Sequence, residues 1–174
     1  MITHLAETRG HAAHGWLNSH HTFSFGEYVH PGRMSFGALR VINDDFVQGG
    51  GGFGTHPHKD MEIISIPLSG SLKHQDSQGN KHLISKGEIQ VMSAGTGISH
   101  SEQNASTTED VNFLQIWVLP KQKGLTPRYD QKRFDLKKNE LNLIVSPDSR
   151  MNTLKINQDS FFSMTELDKG KSLE

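Results

Sequence analysis

Apolar and polar residues alternate along this chain in short runs with a period of two, the signature of strands that bury one face. Residues 35–42, 61–68, 71–75, 81–85, 89–93 and 111–119 each read as a strand. Turn residues separate them at Asn43-Asp44-Asp45, Ser69-Gly70, Ser77-Gln78-Gly79-Asn80 and Lys86-Gly87, which is the rhythm of an antiparallel sandwich or barrel. Helical spacing is nowhere sustained, so the expected fold is all-β.

The run 111–119 differs from the others because both of its faces are mainly apolar. Gln115 is the polar exception at the odd positions and Asn112 at the even ones. This predicts a strand buried on both sides with one polar contact on each, ended by Pro120, which cannot donate to a central ladder. Past Pro127, residues 141–145, 154–157 and 161–164 look like further short strands without obvious partners. Unpaired edges invite pairing, so this tail is expected either to be covered by the main barrel or to be exchanged between subunits of a homodimer.

Composition narrows the function classes. The 18 basic and 19 acidic residues leave a formal charge of −1, which gives no general attraction to nucleic acid or to an anionic membrane. No cysteine is present, so disulfides, thiolate metal sites and thiol nucleophiles are excluded. No apolar run approaches the ~18 residues of a spanning helix, and the start lacks a leader pattern; a cytoplasmic protein is expected.

The candidate chemistry lies in histidines. His56-Pro57-His58 and His100-Ser101-Glu102 form two i, i+2 clamps, each just after a glycine-rich turn (residues 49–54 and 95–97). Alternate residues of a strand share a face, so two such clamps on facing strands enclose a point suited to one divalent metal ion. Glu62 shares strand parity with His56 and His58 as Glu102 does with His100, and parity alone leaves the choice of carboxylate open. The glycine run lacks a following Gly-Lys-Ser/Thr and is not read as a phosphate loop. His11, His14, His20 and His21 are irregularly spaced around Trp16, and residues 22–25 alternate like an edge strand. These read as surface and core histidines rather than a second metal site.

Gly50, His56, His58 and Glu62 together resemble the first cupin motif, and Gly87, Gly95, His100 and Asn104 resemble the second. Ser93 stands where a cupin usually has proline, and two extra residues separate Gly95 from His100. With the segments at 21–25, 39–45, 54–62 and 92–102, the chain is similar to the pirin branch of the cupins from about Arg9 to Asp159. The resemblance implies a double-stranded β-helix (jelly-roll) cupin barrel over residues 1–135. Residues 136–174 are then extra C-terminal strands resembling the start of a second, incomplete cupin domain.

It further implies that His56, His58, His100 and Glu102 hold a divalent ion, Fe(II) first, with Ni, Co, Mn, Cu or Zn as substitutes. Glu62 then orients an imidazole from behind. The bacterial members that the chain resembles imply a quercetin-type dioxygenase acting on a small aromatic substrate with dioxygen, Glu102 also taking the substrate's proton. The eukaryotic members imply an alternative, an iron-binding regulatory or redox-sensing module that contacts a protein partner.

Overall fold

The computed structural model describes residues 3–173. Its strands are β1 (Gly10–Ala13), β2 (Leu17–His21), β3 (Leu39–Val47), β4 (Gly52–His58), β5 (Glu62–Ser69), β6 (Ser71–Asp76) and β7 (Lys81–Ser85). They continue with β8 (Glu88–Ser93), β9 (Ile98–Asn104), β10 (Val111–Val118), β11 (Arg128–Arg133), β12 (Asn142–Ser146), β13 (Leu154–Lys155) and β14 (Phe162–Met164). Among the described residues no helix is long and apolar enough to cross a membrane.

Two sheets make the barrel. One has seven strands in the order β1-β2-β3-β10-β5-β8-β11, and the other has four in the order β4-β9-β6-β7. Leu72 and Ile84 of the smaller sheet pack against Leu17, Val47, Val111 and Phe113 of the larger one, so the inward residues of both sheets share one interior. A further sheet, β13-β12-β14, lies outside. Its Ile144, Val145 and Leu154, with Ile156 just after β13, pack on Ile64, Ile66, Ile89, Val91, Ile116 and Val118. The tail strands therefore pair with one another and cover the outer face of the large sheet. The fold is the all-β cupin barrel with additional C-terminal strands.

Several expectations are corrected. Asn43-Asp44-Asp45 is the middle of β3, not a turn. Three polar residues survive in a central strand because each has a place: Ser19 donates to Asp45 Oδ1, Arg9 and Asn112 reach Asp44, and Asn43 faces the barrel interior opposite Gln115. The edge strand expected at 22–25 is a loop carrying one isolated bridge, Phe25 to Tyr28; the pairing falls earlier, on β1 and β2. Strand β10 behaves as expected, with Gln115 donating to Glu102 on one face and Asn112 to Asp44 on the other.

Candidate metal centre

Strands β4 and β9 carry the two clamps as antiparallel neighbours within one sheet, rather than on facing strands. His56 lies directly opposite His100, and His58 opposite Ile98. Between Phe53 and His56 the register shifts: three steps along β4 match two along β9, from Glu102 to His100. This one-residue bulge at Gly54-Thr55 brings Phe53 and His56 to the same side, the interior, although their spacing would otherwise place them on opposite faces. Glycine is required nearby. At Gly52, with φ +155°, a Cβ would fall 2.5 Å from Gln103 Cα, and at Gly95, with φ +48°, one would fall 2.0 Å from the Leu125 carbonyl oxygen.

The side-chain nitrogens of His56, His58 and His100 all lie within 4.8 Å of one another. His56 Nδ1 donates to the Gly54 carbonyl at 2.7 Å, which leaves Nε2 as the bare nitrogen. That atom stands 3.1 Å from His100 Nε2, close to the ~3 Å between two ligands at right angles on one ion with bonds of about 2.1 Å. His58 Nε2 is buried and has no hydrogen-bond partner. Burial, reinforced by neighbouring imidazoles, holds both His58 and His100 down at about 3. Both rings are thus neutral at pH 7 and present lone pairs, the state that a metal ligand needs. Three neutral imidazoles with an orphaned buried nitrogen fit a borderline divalent cation.

Glu102 is fully buried and falls in a second group, with His74 and His100, whose ligand atoms are again within 4.8 Å of one another. Within that distance it does not join His56 and His58 among the described residues. Ser65 Oγ donates to its Oε1 at 2.7 Å and Gln115 Nε2 to its Oε2 at 2.5 Å, while Trp117 Nε1 donates to Gln115 Oε1 at 3.2 Å. Burial pushes the Glu102 carboxyl above the usual carboxylate range, against the pull of those hydrogen bonds.

His74 escaped the sequence reading. It sits on β6 opposite Glu102, buried, with Nε2 donating to Asp76 at 3.2 Å and Nδ1 unpartnered. The available signal was its position two residues after the inward Leu72 and two before Asp76.

Glu62 does not stand behind an imidazole. It accepts hydrogen bonds from Ser93 Oγ at 2.8 Å and from the backbone and side chain of Asn157, on the face of the large sheet that meets the tail. The break between β4 and β5 at residues 59–61 moves the chain into the other sheet, so the parity counted from His58 no longer applies. The amino-terminal histidines form no three-residue ligand group among the described residues; His11 pairs with Asn18 at 2.7 Å and stacks on His20.

A cavity of about 610 Å³ opens beside the imidazoles, with His56, Phe25, Tyr28, Phe53, Gln115 and Trp117 in its wall. This size and aromatic lining suit a flat organic molecule.

The family profile described as Pirin matches residues 3–118, and the one described as quercetinase C-terminal cupin domain matches residues 143–174. A protein of Escherichia coli (strain K12) named quercetin 2,3-dioxygenase is 57% identical over 154 residues, covering 88% of this chain and 66% of its own length. The chain thus spans just under two thirds of that relative. The crystal structure of YhhW from Escherichia coli superposes with a TM-score of 0.89 at 55% identity, covering 91% of this chain and 68% of that one. The structure described as bacterial pirin YhhW in complex with nickel(II), also from Escherichia coli, gives 0.85 at 56% identity, covering 88% and 66%. With the Pirin profile matching residues 3–118, from ahead of β1 to the end of β10 and well over half of the sequence, this chain belongs to the pirin family.

Proposed function

We propose that this protein is a metal-dependent dioxygenase that cleaves a flavonol such as quercetin with dioxygen. The observation that carries this reading is the convergence of His56, His58 and His100 within 4.8 Å, with His56 itself in the wall of an aromatic cavity. The activity named for the E. coli relative supports it, as does the nickel(II) complex of the bacterial pirin.

In this reading the three imidazoles hold the ion and Glu102 adds the carboxylate from beside His100. Fe(II) is the ion we infer, with nickel(II) and the other borderline cations able to use the same donors. When bound, the ion supplies positive charge that favours the deprotonated form of a substrate hydroxyl. Glu102 takes that proton. Its buried carboxyl holds a proton readily, and Ser65 and Gln115 fix its orientation. Phe25, Tyr28, Phe53 and Trp117 offer flat faces that align the substrate and exclude water.

The test begins with elemental analysis of protein purified without a polyhistidine tag, for which about one ion per chain is expected. Anaerobically iron-loaded protein is then given quercetin and air. Oxygen uptake that depends on quercetin and disappears in His58→Ala is the expected result. Full metal occupancy with no substrate-dependent uptake rejects the dioxygenase and favours the regulatory module.

A further inference from the structure

Strands β2 and β3 place a second set of polar groups on the cavity wall, and the metal chemistry uses none of them. Ser19, His21, Asn43 and Asp45 all line the cavity, yet Ser19, Asn43 and Asp45 are each only 2% exposed and His21 3%. What surface they keep therefore belongs to whatever fills the cavity. They form two rungs, Ser19 opposite Asp45 and His21 opposite Asn43. The Ser19 hydroxyl is committed to Asp45 Oδ1.

The other rung is unsatisfied, since Asn43 Oδ1 and His21 Nδ1 are both buried without a hydrogen-bond partner. A buried acceptor left unpaired costs about 1–3 kcal/mol, and native proteins retain few of them without a reason. Burial also holds the His21 ring below its ordinary value, so it is neutral at pH 7.

These groups define what they could bind. Asn43 Oδ1 is an acceptor, and the Asp45 carboxyl, which already accepts from Ser19 through Oδ1, can accept again through Oδ2 in its ionised form, so the matching ligand groups are donors; among the described residues the cavity wall holds no Lys or Arg to meet a ligand carboxylate. Two inward residues on one strand stand about 7 Å apart at the backbone, a span matched by two adjacent hydroxyls on one ring, each donating outward. Phe25 and Trp117, edge to face at 5.3 Å, line the same cavity and supply apolar contact for such a ring.

We propose that Asn43 and Asp45, backed by Ser19 and His21, form a recognition floor that selects aromatic substrates whose ring remote from the metal carries two adjacent hydroxyl groups. The inference rests on the flavonol reading above and names the feature of the flavonol that this wall recognises.

The test compares quercetin, whose pendant ring has two adjacent hydroxyls, with galangin, the same flavonol with none on that ring. Binding to nickel(II)-loaded protein is followed anaerobically by quenching of tryptophan fluorescence, with no turnover required. The unaltered protein is expected to bind quercetin about tenfold tighter or more, since a site built for hydroxyls discriminates against a ligand lacking them. Asn43→Leu should bring the ratio of dissociation constants close to one. Asp45→Asn, a smaller change that keeps the side-chain shape, should lower the ratio several-fold and serves if the first variant does not fold. Equal affinities in the unaltered protein, or an unchanged ratio in the folded variants, overturns the recognition floor and leaves the flavonol reading standing. Binding of neither flavonol overturns both.

Discussion

The two faces of the seven-stranded sheet are built from alternate residues of the same strands, yet they have opposite characters. Outward, Ile64, Ile66, Ile89, Val91, Ile116 and Val118 meet the tail through branched aliphatic side chains. Inward, the neighbours of those residues include Ser65, Gln90 and Gln115, which lie side by side across β8, β5 and β10. One face holds a layer in place by apolar burial, which is non-directional. The other, beyond the apolar patch of Leu17, Val47, Val111 and Phe113, carries polar groups, of which Ser65 and Gln115 bond Glu102 directly, and there geometry decides the outcome. A substitution should therefore reveal its face by which property it changes.

The largest effect is expected inside. His100→Ala removes the imidazole shared by both ligand groups, and bound metal should drop at least about tenfold by elemental analysis. On the outer face, Ile64→Ala should leave metal content unchanged and cost about 2–4 kcal/mol in urea unfolding, as for other buried isoleucines. Metal loss in that variant would show that the two faces are not independent.

Glu62→Gln probes the outer face's own polar contact with Ser93 and Asn157. It should cost about 1–3 kcal/mol, with unchanged metal content and flavonol quenching. A fall in metal content at normal stability would return Glu62 to the metal centre.

A contrast within the inner face itself is expected in the pH dependence of the metal-free protein. His58 and His100 sit at about 3 when folded against an ordinary 6.5. The unfolded chain therefore binds protons first as the pH falls, and the stability these residues confer above 6.5 is lost between 6.5 and 3. Asp45 acts in the opposite sense. Burial raises it from 3.8 to about 7, so the stability it confers below 3.8 is lost as the pH rises to 7. The unfolding midpoint should fall on acidification from pH 6.5 to 4, and it should fall more steeply in Asp45→Asn, which lacks the opposing group. Parallel curves for the two proteins would remove Asp45 from the balance.

The sequence pattern was most legible where alternation served packing. Strands β5 to β8 and β10 lie where period-two apolar residues place them, and the short tail strands follow the same rule. It was least legible where polar side chains serve an interior that only the tertiary structure creates. Strand β3 runs through Asn43-Asp44-Asp45 because Ser19, Arg9 and Asn112 meet those residues, and none of these partners is adjacent in sequence. Strand β11 is a half-exposed edge strand, Arg128–Arg133, with no apolar stripe. The histidine clamps were visible as spacing, but His74 needed the β6–β9 pairing to bring it beside Glu102. Glu62 was misplaced because a turn between sheets resets the count of faces, which a local pattern does not record.

The extra residue at Gly54-Thr55 acts on orientation in the way that an inserted base acts on a reading frame. Every side chain from His56 to the end of β4 takes its inside or outside assignment from it. Deleting either residue would leave both histidines in the chain and, if β4 kept its pairing upstream of the deletion, would turn them out to solvent. Tolerance of length change in this short stretch should accordingly be far lower than its exposed, loop-like composition suggests.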